Sequence, residues 1–167
     1  MTKKETNIFL LLAAALILLP MGMSTGNFRA VLSSFIPSVE KFTAYPVWDY
    51  DQWSWGYGTA AGYDKNKKPA GSITRSKAFE DMMHVLNANY KILFPLVQRQ
   101  LNANQWAALL SFSYNLGPYQ ADNLIPNINS GNDAALFTQM RKYVLADGVK
   151  LQGLVNRREK EIALWKA

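Results

Sequence analysis

The chain has 167 residues, of which 49% are hydrophobic and 18% charged, and its formal net charge is +6. This length allows one domain with a sizeable core, or two small lobes that share one core. The absence of cysteine excludes structural disulfides, thiolate catalysis and zinc–thiolate sites. The positive charge favours an anionic partner: nucleic acid, lipid head groups or an acidic cell-wall polymer. We expect no nucleic-acid partner, because the sequence lacks basic runs with interleaved aromatics, a Gly-rich phosphate loop and zinc-finger spacing.

The first predicted element is an apolar N-terminal segment. Lys3 and Lys4 precede an unbroken apolar run at residues 8–19, and 23 uncharged residues separate Glu5 from Arg29. As a helix, 23 residues would extend about 34 Å, which is enough to cross a bilayer core of about 30 Å. We therefore predict a transmembrane or signal helix at residues 1–27, followed by one domain at residues 28–167.

Two interpretations of this segment stay open. A cleaved signal peptide would use the basic start, the apolar stretch and the small residues Ser24 and Gly26. No Ala-x-Ala site follows the apolar run, which favours an uncleaved signal-anchor. Either way the lysines stay in the cytoplasm and the domain is exported. The expected location is a single-pass inner-membrane protein whose domain faces the periplasm or wall, with release from the membrane or association with a virion membrane as variants.

The segment after the apolar run predicts a short helix and then a small β-sheet. Pro37 suits the first position of a helix, so we predict a helix at residues 37–42 that carries Glu40. The aromatic, turn-rich residues 48–57 predict a β-hairpin, followed by a loop or third strand to residue 72. The lysine-rich residues 65–68 predict a solvated turn.

Helices are predicted for most of the remaining chain. Thr74 is the expected N-cap of a helix that Pro95 kinks or divides, and His84 within it is expected to be an ordinary helix residue. Asn102 and Gln105 resemble a capping box in front of an apolar stripe that ends at residue 117.

The chemistry centres on residues 40–59, where acids stand beside tryptophan and tyrosine. This mixture suits a sugar polymer, because pyranose rings stack on aromatic surfaces and hydroxyls need polar partners. Glu40 and Asp49 are nine positions apart and can face each other if Glu40 ends a helix and Asp49 lies in the following turn. Glycoside hydrolysis needs such a pair, one protonated and one ionised. An acid pair at this spacing also occurs by chance, and aromatic strands often only build a core.

This stretch resembles the catalytic motif of the phage-type lysozymes, the endolysin muramidases of glycoside hydrolase family 24. Their motif is a Glu, an Asp after eight intervening residues, a Thr and a Gly-x-Gly turn. Here Glu40 and Asp49 keep the spacing, Ser54 stands where the family usually has Thr, and the turn is at residues 56–58. Thr59 stands where many members carry His, and the stretch from Asp49 to the turn is one residue shorter than usual.

Two later blocks extend the resemblance to residues 34–167. Residues 101–117 are similar to the central helix of the family, and residues 151–165 to its C-terminal Gly-Leu-x-x-Arg-Arg segment with its following Glu. Arg157 and Arg158 also have an ordinary interpretation as surface cations, weakly paired with Glu159 and Glu161.

The resemblance implies an α+β, lysozyme-like fold, mainly helical with a small β-hairpin lobe and a substrate cleft between the lobes. It implies hydrolysis of the β-1,4 bond between N-acetylmuramic acid and N-acetylglucosamine in peptidoglycan. Glu40 would be the general acid, Asp49 would activate the water and Ser54 would hold it, with no metal or cofactor and a monomeric enzyme. The expected substrate-binding residues are Trp48, Trp53, Tyr57 and Asn115.

Two alternatives remain for the function. A lytic transglycosylase would need only the acid Glu40, since the muramyl hydroxyl itself attacks and gives an anhydro product. A membrane-anchored virion or wall-binding protein would keep the fold without activity. The mass of the product distinguishes the first alternative, and activity on purified wall the second.

Overall fold

The computed structural model describes residues 25–49 and 51–167, so the predicted N-terminal helix lies outside it apart from residues 25–27. Within these ranges, no helix is both long and apolar enough to cross a bilayer. The elements in chain order are α1 (Thr25–Val39), β1 (Thr43–Asp49), β2 (Gln52–Gly56), β3 (Thr59–Gly62), α2 (Arg75–Leu93), a 3₁₀ turn (Phe94–Leu96), α3 (Ala103–Leu116), α4 (Pro118–Asp122), α5 (Ile125–Asn129), α6 (Asp133–Met140), β4 (Leu145–Ala146), β5 (Val149–Lys150) and α7 (Gln152–Lys166).

The described residues form two compact units. The smaller unit, residues 41–87, holds the three-stranded sheet and the first part of α2. The larger unit, residues 25–40 with 88–167, holds α1 and the remaining helices. The prediction of a mainly helical protein with a small β-hairpin is therefore confirmed.

The helix before the sheet differs from its prediction. Pro37 lies in the last turn of α1, so the prediction of a short helix that begins at Pro37 and contains Glu40 is wrong. Glu40 directly follows the helix, and its backbone N–H donates to the carbonyl of Ile36 at 2.9 Å. The acid is therefore fixed at the C-terminal end of a long helix.

Burial explains why α1 continues through its proline. Phe28, Leu32 and Ile36 recur every four residues and are all fully buried, so they form one apolar stripe along the helix. Pro37 lacks the N–H that would bond to the helix and costs about 3 kcal/mol in a helix interior. Burying three large apolar side chains contributes about 1.5–3 kcal/mol each, which exceeds that cost.

The sheet confirms the predicted hairpin and extends it. β1, β2 and β3 are antiparallel neighbours in that order, and β3 is the third strand that the sequence left open. Across β1 and β2, Trp48 pairs with Trp53, Asp49 pairs with Gln52, and Val47 pairs with Ser54. This register decides which side chains share a face of the hairpin.

Gly56 ends β2 at φ +61°, a backbone conformation that favours glycine. A Cβ atom there would lie 2.7 Å from the Cβ of Ala78, so an alanine would be both strained and too close to α2. We expect Gly56→Ala to lower the free energy of unfolding by about 2–5 kcal/mol, measured by urea denaturation. Gly71→Ala is the control, because φ is +93° with no atom within 4 Å, and it should cost only about 1–2 kcal/mol. Equal losses would show that the contact with Ala78 is unimportant.

Local sequence signals place the ends of α2 correctly. The hydroxyl of Thr74 accepts a hydrogen bond from the backbone N–H of Lys77 at 3.2 Å, which confirms the predicted N-cap. Pro95 divides the helical stretch as predicted, since α2 ends at Leu93 and the 3₁₀ turn follows. His84 is exposed on α2, in agreement with an ordinary role.

The capping box of α3 is confirmed. The backbone N–H of Gln105 donates to the Asn102 side chain at 2.9 Å, and that of Asn102 donates to the Gln105 side chain at 3.0 Å. The helix then crosses the core of the larger unit and ends at Gly117. Its buried residues are Trp106, Ala107, Ala108, Leu109, Leu110, Ser111, Phe112 and Ser113.

Candidate functional site

The carboxyl of Glu40 is held by an arginine from α7. Nη1 of Arg157 donates to Oε1 of Glu40, and the two side chains form an ion pair within the larger unit. The Glu40 side chain is 19% exposed, so solvent and ligands can still reach it. Among the described residues, no side chain or backbone group hydrogen-bonds to Oε2 of Glu40. One oxygen of the Glu40 carboxyl is therefore anchored, and the other is left without a hydrogen bond from the described residues.

Arg157 is itself fixed from several directions. Its side chain is only 7% exposed. The guanidinium donates through Nε to Oε1 of Glu161 at 3.1 Å and through Nη2 to the backbone carbonyl of Ser111 at 3.0 Å. Arg157 and Glu161 are four positions apart on α7, and Ser111 lies on α3. Because an arginine fork has donors in fixed directions, these bonds determine where Nη1 meets Glu40.

Glu161 and Arg158 form the buried half of this cluster. Glu161 accepts from the Ser111 hydroxyl at 2.7 Å and from Nη2 of Arg158 at 3.0 Å. Nε of Arg158 lies 2.8 Å from Oε2 of Glu161, without the alignment of a hydrogen bond. Burial raises the pKa of Glu161 and lowers the pKa of Arg158, because leaving water disfavours each charge; the pairing opposes both shifts.

The interpretation of these arginines as surface cations is wrong. Arg158, Glu161, Ile162 and Trp165 are all buried, and their i, i+3, i+4, i+7 spacing defines the inward stripe of α7. That spacing was the signal in the sequence that could have revealed a buried ionic cluster. Glu159 is at the surface as expected, but its partner is Arg141 rather than a neighbour on its own helix.

Asp49 and Ser54 lie together in the smaller unit. Asp49 is exposed at the end of β1, and Ser54 is buried in β2. Because directly opposed residues of antiparallel strands point to the same side, the register puts Asp49, Gln52 and Ser54 on one face of the hairpin. The side-chain amide of Gln52 donates to the Ser54 oxygen at 3.0 Å. The hydroxyl hydrogen of Ser54 therefore remains for another acceptor.

The four residues expected to bind substrate have different surroundings. Trp48 and Trp53 oppose each other across the strands, on the hairpin face away from Asp49 and Ser54. Tyr57 is only 8% exposed and its ring packs against Phe42, with 5.6 Å between centroids. The side-chain oxygen of Asn115 accepts from Nη2 of Arg158 at 2.9 Å, so this amide belongs to the cluster around Glu40. No group of three His, Asp or Glu side chains in the described part of the chain is placed to hold a metal ion.

The family assignment follows from comparison with known proteins. The phage lysozyme family model matches residues 38–161, which include Glu40, Asp49, Ser54 and the arginine cluster. This match spans most of the chain, and the chain therefore belongs to the phage lysozyme family.

Individual relatives agree with this assignment. The chain is 32% identical to the SAR-endolysin of Escherichia phage Mu over 97 residues, 54% of this chain and 57% of that protein. It is 30% identical to the endolysin of Bacillus phage PZA over 114 residues, 67% of this chain and 43% of that protein. The chain thus spans about half the length of these curated relatives.

A solved structure supports the fold. The muramidase domain of SpmX from Asticaccaulis excentricus superposes with a TM-score of 0.71 at 23% identity, covering 83% of this chain and 96% of that domain. The fold is therefore lysozyme-like, with helices and a small β-hairpin.

Proposed function

We propose that this protein is a muramidase that hydrolyses the β-1,4 bond between N-acetylmuramic acid and N-acetylglucosamine in peptidoglycan. The observation that carries the proposal is the partly exposed Glu40 side chain, anchored at one carboxyl oxygen by a buried arginine, in a member of the phage lysozyme family. The net charge of +6 would favour approach to the acidic peptide stems of the wall, an attraction that salt weakens.

The proposed mechanism uses three side chains. Glu40 protonates the leaving glycosidic oxygen, Asp49 orients or deprotonates the attacking water, and the Ser54 hydroxyl holds that water. The shared face of Asp49 and Ser54 supports their joint action on one water molecule. Inversion at the sugar carbon requires the Glu40 and Asp49 carboxyls to stand about 6.5–9.5 Å apart in the productive enzyme. Asn115 and Tyr57 are proposed glycan contacts.

The mass of the product tests the reaction. Purified cell wall is digested with wild-type protein, and the released fragments are analysed by mass spectrometry. A hydrolase yields muramic acid with a free reducing end, whereas a lytic transglycosylase yields an anhydro product lighter by one water. A protein that binds the wall without releasing fragments would instead be a wall-binding protein with a lysozyme fold.

The roles of the two aspartates can be separated by substitution. Asp49→Asn should slow wall cleavage by about 10²–10⁴-fold, because the amide cannot take a proton from water. Asp51→Asn is the matched control two positions away, and it should have a smaller effect. A greater loss at Asp51 would reverse the assignment.

In the same assay Ser54→Ala should slow the reaction and Ser54→Thr should be tolerated; an inactive Thr variant would show that the two hydroxyls are not equivalent.

We further propose that the N-terminal segment anchors the enzyme in the inner membrane until it is released. Lys3 and Lys4 would stay in the cytoplasm, and the next charge after Glu5 is Arg29, so the domain would emerge beside the wall. The small residues Ala13–Ala15, Gly22 and Gly26 lower the cost of leaving the bilayer relative to an all-leucine helix. The anchored enzyme would be inactive because the short tether holds the site against the membrane, and release would activate it.

Fractionation of expressing cells tests the anchor. Before collapse of the membrane potential, the full-length protein should be in the membrane fraction; afterwards it should be soluble with an unchanged mass. The mass is measured in both fractions. A protein that has lost about 26 residues from the outset would show a cleaved signal peptide, and the release mechanism would be wrong while the muramidase proposal stood.

A further inference from the structure

The hairpin has a second, aromatic face. Trp48 and Trp53 are cross-strand partners, with ring centroids 5.4 Å apart and planes at 77°. Both are partly exposed. Because they lie on the face opposite Asp49 and Ser54, they do not share a surface with the proposed water-activating residues. The two partly exposed indoles therefore form a separate aromatic surface of the hairpin.

The loop after β3 brings cations to this aromatic face. Nε1 of Trp53 donates to the backbone carbonyl of Asp64 at 2.9 Å, which fixes the loop against the indole. The ammonium of Lys65 lies 5.9 Å from the ring centre of Trp48, and that of Lys68 lies 5.6 Å from the ring centre of Trp53. Within the described ranges, neither lysine has an ion-pair partner, whereas Lys67 between them pairs with Asp64 at 3.1 Å.

We infer that Trp48, Trp53, Lys65 and Lys68 form a second polymer-binding surface, the indole–lysine surface, for a glycan strand that carries carboxylates. Pyranose rings would pack on the indoles, and the carboxylates of the strand would pair with the ammonium groups. That the strand is peptidoglycan rests on the proposed function. The surface would hold the enzyme on the insoluble wall while the face with Asp49 and Ser54 acts on another part of the polymer.

The geometry suits a ligand that meets a preformed surface. The cross-strand pair and the Trp53 hydrogen bond fix the indoles before binding, so little conformational entropy is lost when a sugar packs on them. The lysines are exposed, and cation–π contacts at exposed sites are weak, so each ammonium can turn toward a carboxylate at small cost.

An anionic lipid surface is the competing partner, and the structure favours the glycan. Tryptophans at a membrane interface use the indole N–H to reach the wet head-group layer while the ring is in contact with lipid. Here Nε1 of Trp53 is already bonded to Asp64, and both rings are partly buried rather than projecting from the hairpin.

The test compares two double substitutions that remove the same charge. Both are made in a Glu40→Gln background, so that the wall is not digested during the assay. Lys65→Gln/Lys68→Gln alters the indole–lysine surface. Lys67→Gln/Lys150→Gln is the control, because Lys67 is 83% exposed beside them in the same loop and Lys150 is exposed on β5. Sedimentation with purified cell-wall sacculi measures the dissociation constant, and thermal unfolding confirms that all proteins are folded.

We expect the Lys65→Gln/Lys68→Gln protein to bind sacculi about fivefold more weakly than the control protein. Equal binding by the two would overturn the inference. Sedimentation with vesicles of phosphatidylglycerol and phosphatidylcholine tests the lipid alternative: loss of vesicle binding with unchanged sacculus binding would also overturn it. The muramidase proposal has a separate test, because it fails if the wild-type protein releases no fragments from wall. In that case the difference in sacculus binding between the two double variants would still decide whether the indole–lysine surface binds the wall.

Discussion

Glu40→Gln is expected to slow cell-wall cleavage by about 10²–10⁴-fold while the protein remains folded. Glutamine has nearly the shape of glutamate and its amide oxygen can still accept from Arg157, but it has no acidic proton to give to the leaving oxygen. The rate is measured as clearing of a wall suspension or as a zymogram band, and thermal unfolding shows whether the fold is retained.

Glu159→Gln is the matched control for this substitution. It makes the same chemical change at an exposed glutamate whose ion pair, in the described part of the chain, is with Arg141, so wall clearing should be close to that of the wild type. If the Glu40→Gln protein cleared walls as fast as this control, Glu40 would not be the general acid.

The second large effect is expected at Glu161. Glu161→Gln removes the negative charge that two buried guanidinium groups share, and it should lower the free energy of unfolding by about 3–5 kcal/mol. Removing one partner of a buried ionic pair costs this much because the remaining charge stays buried without compensation. Arg157 and Arg158 would then repel each other beside Ser111.

Urea denaturation of Glu161→Gln and Glu159→Gln measures this difference on one helix. Glu159 is 49% exposed and its bond with Arg141 lies in solvent, so its loss should change stability by less than about 1 kcal/mol. The hydrogen bond from Arg141 lowers the pKa of Glu159, and slight burial opposes this shift without reversing it. Similar effects of the two substitutions would show that the buried cluster contributes no more than a surface pair.

The sequence predicted those parts of the fold that depend on neighbouring residues. The capping box at Asn102, the N-cap at Thr74 and the division at Pro95 are local signals, and each is where the sequence placed it. The prediction at Pro37 is wrong because its local signal for a helix start is outweighed by the burial of Phe28, Leu32 and Ile36. Tertiary packing of this kind has no signature in a window of a few residues.

In the candidate site, too, the residues close together in sequence were predicted, and the contact between residues far apart in sequence was not. Spacing and resemblance pointed to Glu40, Asp49 and Ser54, which are close in sequence. The partner of Glu40 was missed because Arg157 is 117 positions away, and no local pattern links the two. The separate faces of Asp49 and Trp48 follow from strand alternation, but only once the register of the hairpin is known.

The ion pair between Glu40 and Arg157 also orders events during synthesis. The ribosome must add 117 residues after the acid before its guanidinium partner exists. At about 5–20 residues per second, this interval lasts roughly 6–23 s, during which Glu40 is already made but unanchored. A nascent chain interrupted anywhere before α7 therefore carries the acid without the group that positions it. Translation must therefore reach the last helix before the acid can be held in place.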